Sequence, residues 1–308
     1  MQNSFDFKTT TYAKWILTGE HAVLRGHGAI VFPIATNKLT LHYSAASKGL
    51  NADFTGQQGE ALHLLFWSVL EHGLKLLAKS LNQIKGSFLL FNNIPIGVGM
   101  GASAALCVAV TRWFIYQGWL NNSAEFSFAK SLEDLCHGKS SGLDIVGVRA
   151  EGGVYFQNGV AKPIEQTWEP HLYLSFCGQQ GFTLPCISKV EDLWLKDAVT
   201  AQKCDDKMHL SVMIAMKALA QKSEHSLDML ANSINLAQEC FNDWGLINAT
   251  MANHIASLQE LGAIAVKPTG SGSGGYLISL WKHALTLEFR AKNQCEWIEI
   301  NHKESEYA

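Results

Sequence analysis

An α+β fold in two domains is predicted, and three patterns predict it. Strand-like runs dominate the first third of the chain, helical periodicity dominates the second half, and a polar, loop-like stretch between Pro163 and Pro170 separates the two regimes. The boundary is placed there, giving domains 1–165 and 166–308. With 308 residues, 47% of them hydrophobic and 17% charged, the chain can bury a substantial core.

The elements follow in order. Trp15-Ile-Leu17 and Ala29-Ile-Val-Phe32 are short apolar runs bounded by glycines and read as strands, and 38–43 alternates apolar and polar as a half-buried strand does. Between 60 and 81, Leu62, Leu65, Phe66, Val69, Leu70, Leu74 and Leu77 recur at helical spacing. A strand at 87–91 leads into a glycine-rich turn, and a helical run covers 102–118. A further helix is expected over 123–136, then a strand over 153–157 closed by Asn158-Gly159. The second half opens on a strand at 171–176, followed by helices over about 188–204, 207–222, 226–241 and 249–260. A glycine-rich segment at 270–275 precedes a strand at 276–280.

Composition excludes several classes of function. The net charge is −3, from 24 basic and 27 acidic residues, which gives no electrostatic reason for a nucleic-acid or anionic-membrane partner. The N-terminal residues Met1 to Asp6 lack the basic start and apolar run of a signal peptide, and the most apolar stretch, 104–120, is interrupted by Arg112 and Gln117. Seven cysteines, without a C-x-x-C pair, suit reduced thiols in a cytoplasm, with Cys107 and Cys136 in apolar, core-like surroundings. No second pair at zinc spacing accompanies Cys136-His137, so no zinc site is expected.

The chemistry concentrates in four segments. In Pro95-Ile-Gly-Val-Gly-Met-Gly-Ala-Ser-Ala-Ala105, Gly97, Gly99 and Gly101 let the backbone approach a bulky anion between a strand and a helix. Free N–H groups and the positive end of the helix dipole then converge on one place, a phosphate site, and Ser103 in the first helical turn can reach a phosphate-bound Mg²⁺. The segment is not a Walker loop, since no Gly-Lys-Ser/Thr follows, and does not read as a Rossmann loop, since the turn lies late and no βαβ unit is expected around it. A second segment, Ala13-Lys-Trp-Ile-Leu-Thr-Gly-Glu-His-Ala-Val-Leu-Arg-Gly26, runs from a strand into a turn carrying Glu20 and His21, which in isolation reads as a solvated loop. The third, Lys267-Pro-Thr-Gly-Ser-Gly-Ser-Gly-Gly275, holds four glycines in six residues, a mark of close backbone contact with a ligand or of a tight hairpin. In the fourth, Glu133 precedes His137-Gly-Lys-Ser-Ser-Gly-Leu-Asp144. Asp144 stands among small and apolar residues, so its carboxylate calls for a lysine or a metal ion as partner.

Together these segments resemble the motifs of the GHMP kinases, the galactose, homoserine, mevalonate and phosphomevalonate kinase superfamily. The Gly97–Ser103 segment is similar to the family's ATP phosphate loop. That loop usually has two serines after its third glycine, where this chain has Ala102 and Ser103. Gly-Glu-His-Ala-Val resembles the first motif of the mevalonate-phosphorylating branch. Residues 267–275 resemble the third motif, with Ser271 and Ser273 in place of small residues. His137 to Asp144 resembles the family's His-Gly-x-Pro-Ser-Gly-x-Asp, with Ser140 in place of proline.

The resemblance implies the two-domain GHMP architecture, with an N-terminal domain like domain two of ribosomal protein S5, a ferredoxin-like C-terminal domain, and a cleft between them for ATP and acceptor. It implies that the backbone of Gly97, Gly99, Met100, Gly101, Ala102 and Ser103, with Gly270 and Gly272, holds the ATP phosphates. Ser103 and Glu133 would coordinate Mg²⁺. Asp144 would orient the acceptor hydroxyl or take its proton, with Lys14 paired to it, and Glu20 and His21 would contact the acceptor. Mevalonate is the expected acceptor. A phosphorylated acceptor would call for additional cations, and Arg25, Lys139 and Arg149 lie near the motifs. A nucleotide-binding sensor without catalysis is the alternative of another class, and the presence of Lys14, Ser103, Glu133 and Asp144 together speaks against it. The residues do not reveal an oligomeric state; a homodimer is carried as the expectation.

Overall fold

A computed structural model describes residues 5–138, 140–293 and 295–300. Two compact units are distinguished: the described parts of Met1–Lys14, Pro33–Ile96 and Met100–Glu151, and those of Trp15–Phe32, Gly97–Gly99 and Gly152–Ala308. Two long strands, β1 (Phe7–Thr18) and β2 (Ala29–Ala45), contribute residues to both.

In the first unit, β3 (Leu50–Thr55), α1 (His63–Leu76) and β4 (Gly86–Asn92) form a βαβ unit whose strands pair in parallel. The later part of β2 pairs antiparallel with β4, from Leu39 opposite Asn92 to Ala45 opposite Gly86. Then come α2 (Ala102–Tyr116), α3 (Glu125–His137) and α4 (Leu143–Arg149). Between Ala104 and Val110 every residue of α2 is buried, as in a helix that is apolar all round. Its Trp113 sits edge-on to Phe88 and Tyr43, at ring distances of 4.9 and 5.3 Å, in an aromatic core that Phe66 extends.

The C-terminal stretch of the second unit opens with the hairpin β5 (Val154–Gln157) and β6 (Val160–Pro163), and β5 pairs with the start of β2. Asn158 and Gly159 both have positive φ, 50° and 80°, as the Asn-Gly pair predicts for a two-residue hairpin turn. Next are β7 (His171–Phe176), α5 (Thr183–Lys196), α6 (Ala198–Ala220), α7 (Ser226–Asp243) and α8 (Ala249–Glu260). The chain ends in β8 (Ala265–Pro268), β9 (Tyr276–Trp281), α9 (Leu287–Lys292) and β10 (Trp297–Glu299). The sheet order is β10-β7-β9-β8, antiparallel throughout. Counted from β7, that is 4-1-3-2 with helices in both crossovers, the ferredoxin-like arrangement that the resemblance implied.

Several details differ from the sequence expectations. The two N-terminal runs are parts of strands of 12 and 17 residues, because their polar stretches also pair. The expected helices at 188–204 and 207–222 are replaced by α5 and α6, which break at Asp197. The Asp197 carboxylate accepts hydrogen bonds from the Thr200 N–H and hydroxyl at 3.1 and 2.7 Å, an N-cap that restarts the helix. The boundary expected at 165 falls after the β5–β6 hairpin, whereas the units divide before it, at Glu151. Lys267, read as loop, lies in β8 and is fully buried.

Candidate active site

The phosphate-loop segment has the backbone its glycines predict. Gly97, Gly99 and Gly101 have φ of 76°, 82° and 80°, a left-handed conformation that side-chain-bearing residues rarely adopt. Gly101 is the N-cap of α2 and offers no capping side chain, and a helix N-terminus directs its first N–H groups and positive dipole end outward. Ser103 lies half-buried in that first turn. Within the second unit this loop meets the other glycine segment. A methyl group on Gly99 would lie 3.3 Å from the Thr269 carbonyl, and one on Gly275 would lie 2.6 Å from the Val98 carbonyl. The two glycine segments that looked like ligand loops are thus in backbone contact, and side chains would push them apart.

Within the first unit, Lys14 donates its backbone N–H to the Met100 carbonyl at 3.0 Å. Its stem crosses Gly101 so closely that a Cβ there would be 2.8 Å from Lys14 Cγ. Its Nζ ends 2.8 Å from Asp144 Oδ1. Asp144 needs a partner, as expected, yet it is the lysine that is buried, at 2% exposure against 33% for the aspartate.

The turn before α4 aims Asp144. Gly142 caps α4 with φ 85°, the Ser141 hydroxyl accepts from the Leu143 N–H at 3.1 Å, and the Asp134 carboxylate accepts from the Ser140 N–H at 2.7 Å. Asp134 was missed in the sequence reading; its signal was a carboxylate one helical turn before the glycine turn.

Glu133 on α3 is 1% exposed, and its Oε2 has no hydrogen-bond partner. Burial first, and the negative charge of Asp144 second, raise its pKa from 4.5 to about 8, with Ser140 and Lys14 opposing. A buried carboxyl oxygen without a partner beside a second carboxylate is a place that a cation would relieve. Among the described residues no three His, Cys, Asp or Glu side chains gather around one point. Mg²⁺ is held by one or two carboxylates together with substrate phosphates, a donor set that the unpartnered Glu133 oxygen fits.

Glu20 and His21 are also buried, but they turn to the third motif. Glu20 Oε1 pairs with Lys267 Nζ at 2.5 Å, and His21 Nε2 donates to the Ser271 carbonyl at 2.9 Å. His21 is the centre of a γ-turn of the rarer, positive-φ hand. Its φ is 58°, and the Ala22 N–H reaches the Glu20 carbonyl at 2.6 Å. The ring packs edge-on against Trp244 at 5.1 Å, and burial lowers its pKa from 6.5 to about 4. His21 is therefore neutral at physiological pH.

Two of the three cations flagged near the motifs are engaged. Arg25 makes a bidentate pair with buried Asp205, both contacts at 2.5 Å, and stands 5.4 Å over Trp194. Arg149 pairs with Glu125 at 3.6 Å. Lys139, and the side chains of Cys136 and His137, lie outside the described residues.

Known proteins resemble the chain in sequence and in fold. Residues 65–150 match the family profile of the GHMP kinases N terminal domain. A mevalonate kinase of Aeropyrum pernix is 27% identical over 285 residues, covering 87% of this chain and 86% of that protein. The structure of L. major mevalonate kinase in complex with R-mevalonate superposes with a TM-score of 0.75 at 23% identity, over 96% of both chains. Streptococcus pneumoniae phosphomevalonate kinase, in complex with phosphomevalonate and AMPPNP, reaches a TM-score of 0.71 at 14% identity, over 93% of this chain and 95% of that one. At these identities the structural matches establish the fold. The family match is confined to residues 65–150, and the sequence relatives that the chain matches are mevalonate kinases.

Proposed function

We propose that the chain phosphorylates mevalonate at its primary alcohol with ATP, giving 5-phosphomevalonate. The Lys14–Asp144 pair against Gly101 carries this reading: it sets an acid–base group and a cation beside the α2 N-terminus, where the Gly97–Ser103 loop ends. The N–H groups of Gly97 to Ser103, with Gly270 and Gly272, would hold the polyphosphate. Ser103 and Glu133 would hold Mg²⁺, which supplies charge neutralisation at the phosphates. Asp144 orients the acceptor hydroxyl and receives its proton. Lys14 holds Asp144 in place and offsets charge on the transferred group. Glu20 and His21 remain in the acceptor-binding proposal, His21 as a neutral hydrogen-bonding group.

The engaged cations favour an acceptor that carries no phosphate. The Arg25 charge is matched by buried Asp205, so it cannot meet an acceptor phosphate without breaking that pair, while Arg149 shares Glu125, at 3.6 Å, with the closer Arg112 at 3.1 Å. No described helix is long and apolar enough to cross a membrane. The six described cysteines are all free thiols, which supports a reducing, cytoplasmic setting. The homodimer stays a proposal for light scattering to decide.

The test is an ADP-release assay with MgATP and mevalonate, phosphomevalonate, galactose or homoserine, run on wild type and Asp144→Asn. Turnover selective for mevalonate and lost in Asp144→Asn supports the proposal. Preference for phosphomevalonate would replace the substrate and keep the mechanism.

A further inference from the structure

Lys267 is a buried cation that the reaction scheme does not use. It is fully buried in β8 and its ammonium is saturated by the chain itself. Nζ donates to Glu20 Oε1 at 2.5 Å, to the Pro268 carbonyl at 2.6 Å and to the Ile16 carbonyl at 3.4 Å, and it stands 5.5 Å over the Phe241 ring. Two residues on, the hydroxyl of buried Thr269 accepts from the Ile16 N–H at 2.8 Å and donates to the Ile16 carbonyl at 3.1 Å. This side chain replaces a rung of backbone pairing. Two residues further, the Ser271 carbonyl accepts from His21 Nε2 at 2.9 Å. Lys267, Thr269 and Ser271, the last through its backbone carbonyl, all engage the segment from Ile16 to His21.

The remainder of the glycine loop is held from other sides. Ser273, at φ 57°, donates its N–H to the Leu246 carbonyl at 2.7 Å, and Asn248 Nδ2 donates to the Ser273 carbonyl at 3.1 Å. A buried ion pair is a costly way to gain stability alone, since desolvation offsets most of the attraction. A backbone outlier at His21, over-determined by its surroundings, is likewise the kind of strain that collects where geometry matters.

We propose that Lys267 and Thr269 are positioning residues. They fasten the Gly270–Gly275 loop to the Ile16–His21 turn, so that the loop N–H groups are preset for the nucleotide phosphates and need no ordering when the nucleotide binds. The proposal rests on the reading of that loop as a phosphate-contacting one.

The test compares Thr269→Val, which keeps shape and removes the hydroxyl, with Thr269→Ser, which keeps the hydroxyl, and adds Lys267→Met. Steady-state kinetics would be paired with hydrogen exchange at the amides of 270–275 in the nucleotide-free protein. The expected result for Thr269→Val is about tenfold faster loop exchange and about tenfold higher KM for MgATP, with the acceptor KM within about twofold, and recovery of both in Thr269→Ser. Lys267→Met should show a larger effect on exchange and on the KM for MgATP and, because it also releases Glu20, a raised acceptor KM; if it does not fold, the Thr269 pair decides. Unchanged exchange and unchanged KM in folded Thr269→Val would overturn the fastening. Faster exchange with unchanged KM for MgATP would overturn the proposal through its premise, because the loop would be fastened but would not meet phosphate.

Discussion

Asp144 and Lys14 show how far single residues can be read. A carboxylate among apolar neighbours demands a partner, and that requirement held in the 2.8 Å pair. Which member would be buried was not readable, because the depth of a side chain depends on packing from segments distant in sequence. On the proposed role of Asp144 as the acid–base group, replacing its carboxylate by an amide of the same shape isolates the chemistry: Asp144→Asn is expected to lower kcat by at least about 10²-fold with the KM for MgATP little changed, measured by ADP release. Glu133 gives a second prediction. Its proton must leave before a cation can be held, and its pKa stands at about 8. The apparent Mg²⁺ requirement should therefore ease as pH rises from 6 towards 8. Glu133→Gln should flatten that dependence in a titration of activity against Mg²⁺.

Elements were legible where periodicity was long and uninterrupted. The helix expected at 249–260 matches α8, and the strand at 171–176 matches β7. The break between α5 and α6 escaped notice because Asp197 caps by its side chain within a continuously helical pattern. β8 escaped because it is four residues long and carries a lysine, a residue that is rarely fully buried. Two element-scale substitutions follow. Asn248 caps α8 by accepting the Met251 N–H at 2.9 Å, so Asn248→Ala should cost about 1 kcal/mol in denaturant unfolding. Gly101→Ala would force a Cβ to within 2.8 Å of Lys14 Cγ at a φ of 80°. It should abolish turnover, and a circular dichroism melt should show whether the fold itself persists.

For the whole molecule, two buried groups shape stability in opposite senses. The pKa of His21 is lowered from 6.5 to about 4. Its contribution is present above pH 6.5 and is lost as pH falls towards 4, by about 3 kcal/mol in total. The pKa of Glu133 is raised from 4.5 to about 8. Its neutral form favours the folded state below pH 4.5, and that advantage is lost as pH rises through 8. Melting temperatures of the nucleotide-free protein from pH 4 to 9 should therefore fall at both ends. The alkaline fall should shrink when Mg²⁺ and nucleotide are added, because a bound cation would favour the ionised carboxylate that burial opposes.

The sequence by itself determined the α+β class, the left-handed glycine turn before α2 and the need of Asp144 for a partner, because each rests on local signals: periodicity, glycine spacing, and a charge that needs a counter-charge; that Lys14 is that partner was implied by the resemblance. Only the tertiary structure decided that Glu20 meets Lys267, that His21 is neutral and bonded to Ser271, and that Arg25 is matched by Asp205. Those pairs join residues 180 to 250 positions apart. Burial and charge state are properties of such neighbours, and no spacing within one segment encodes them.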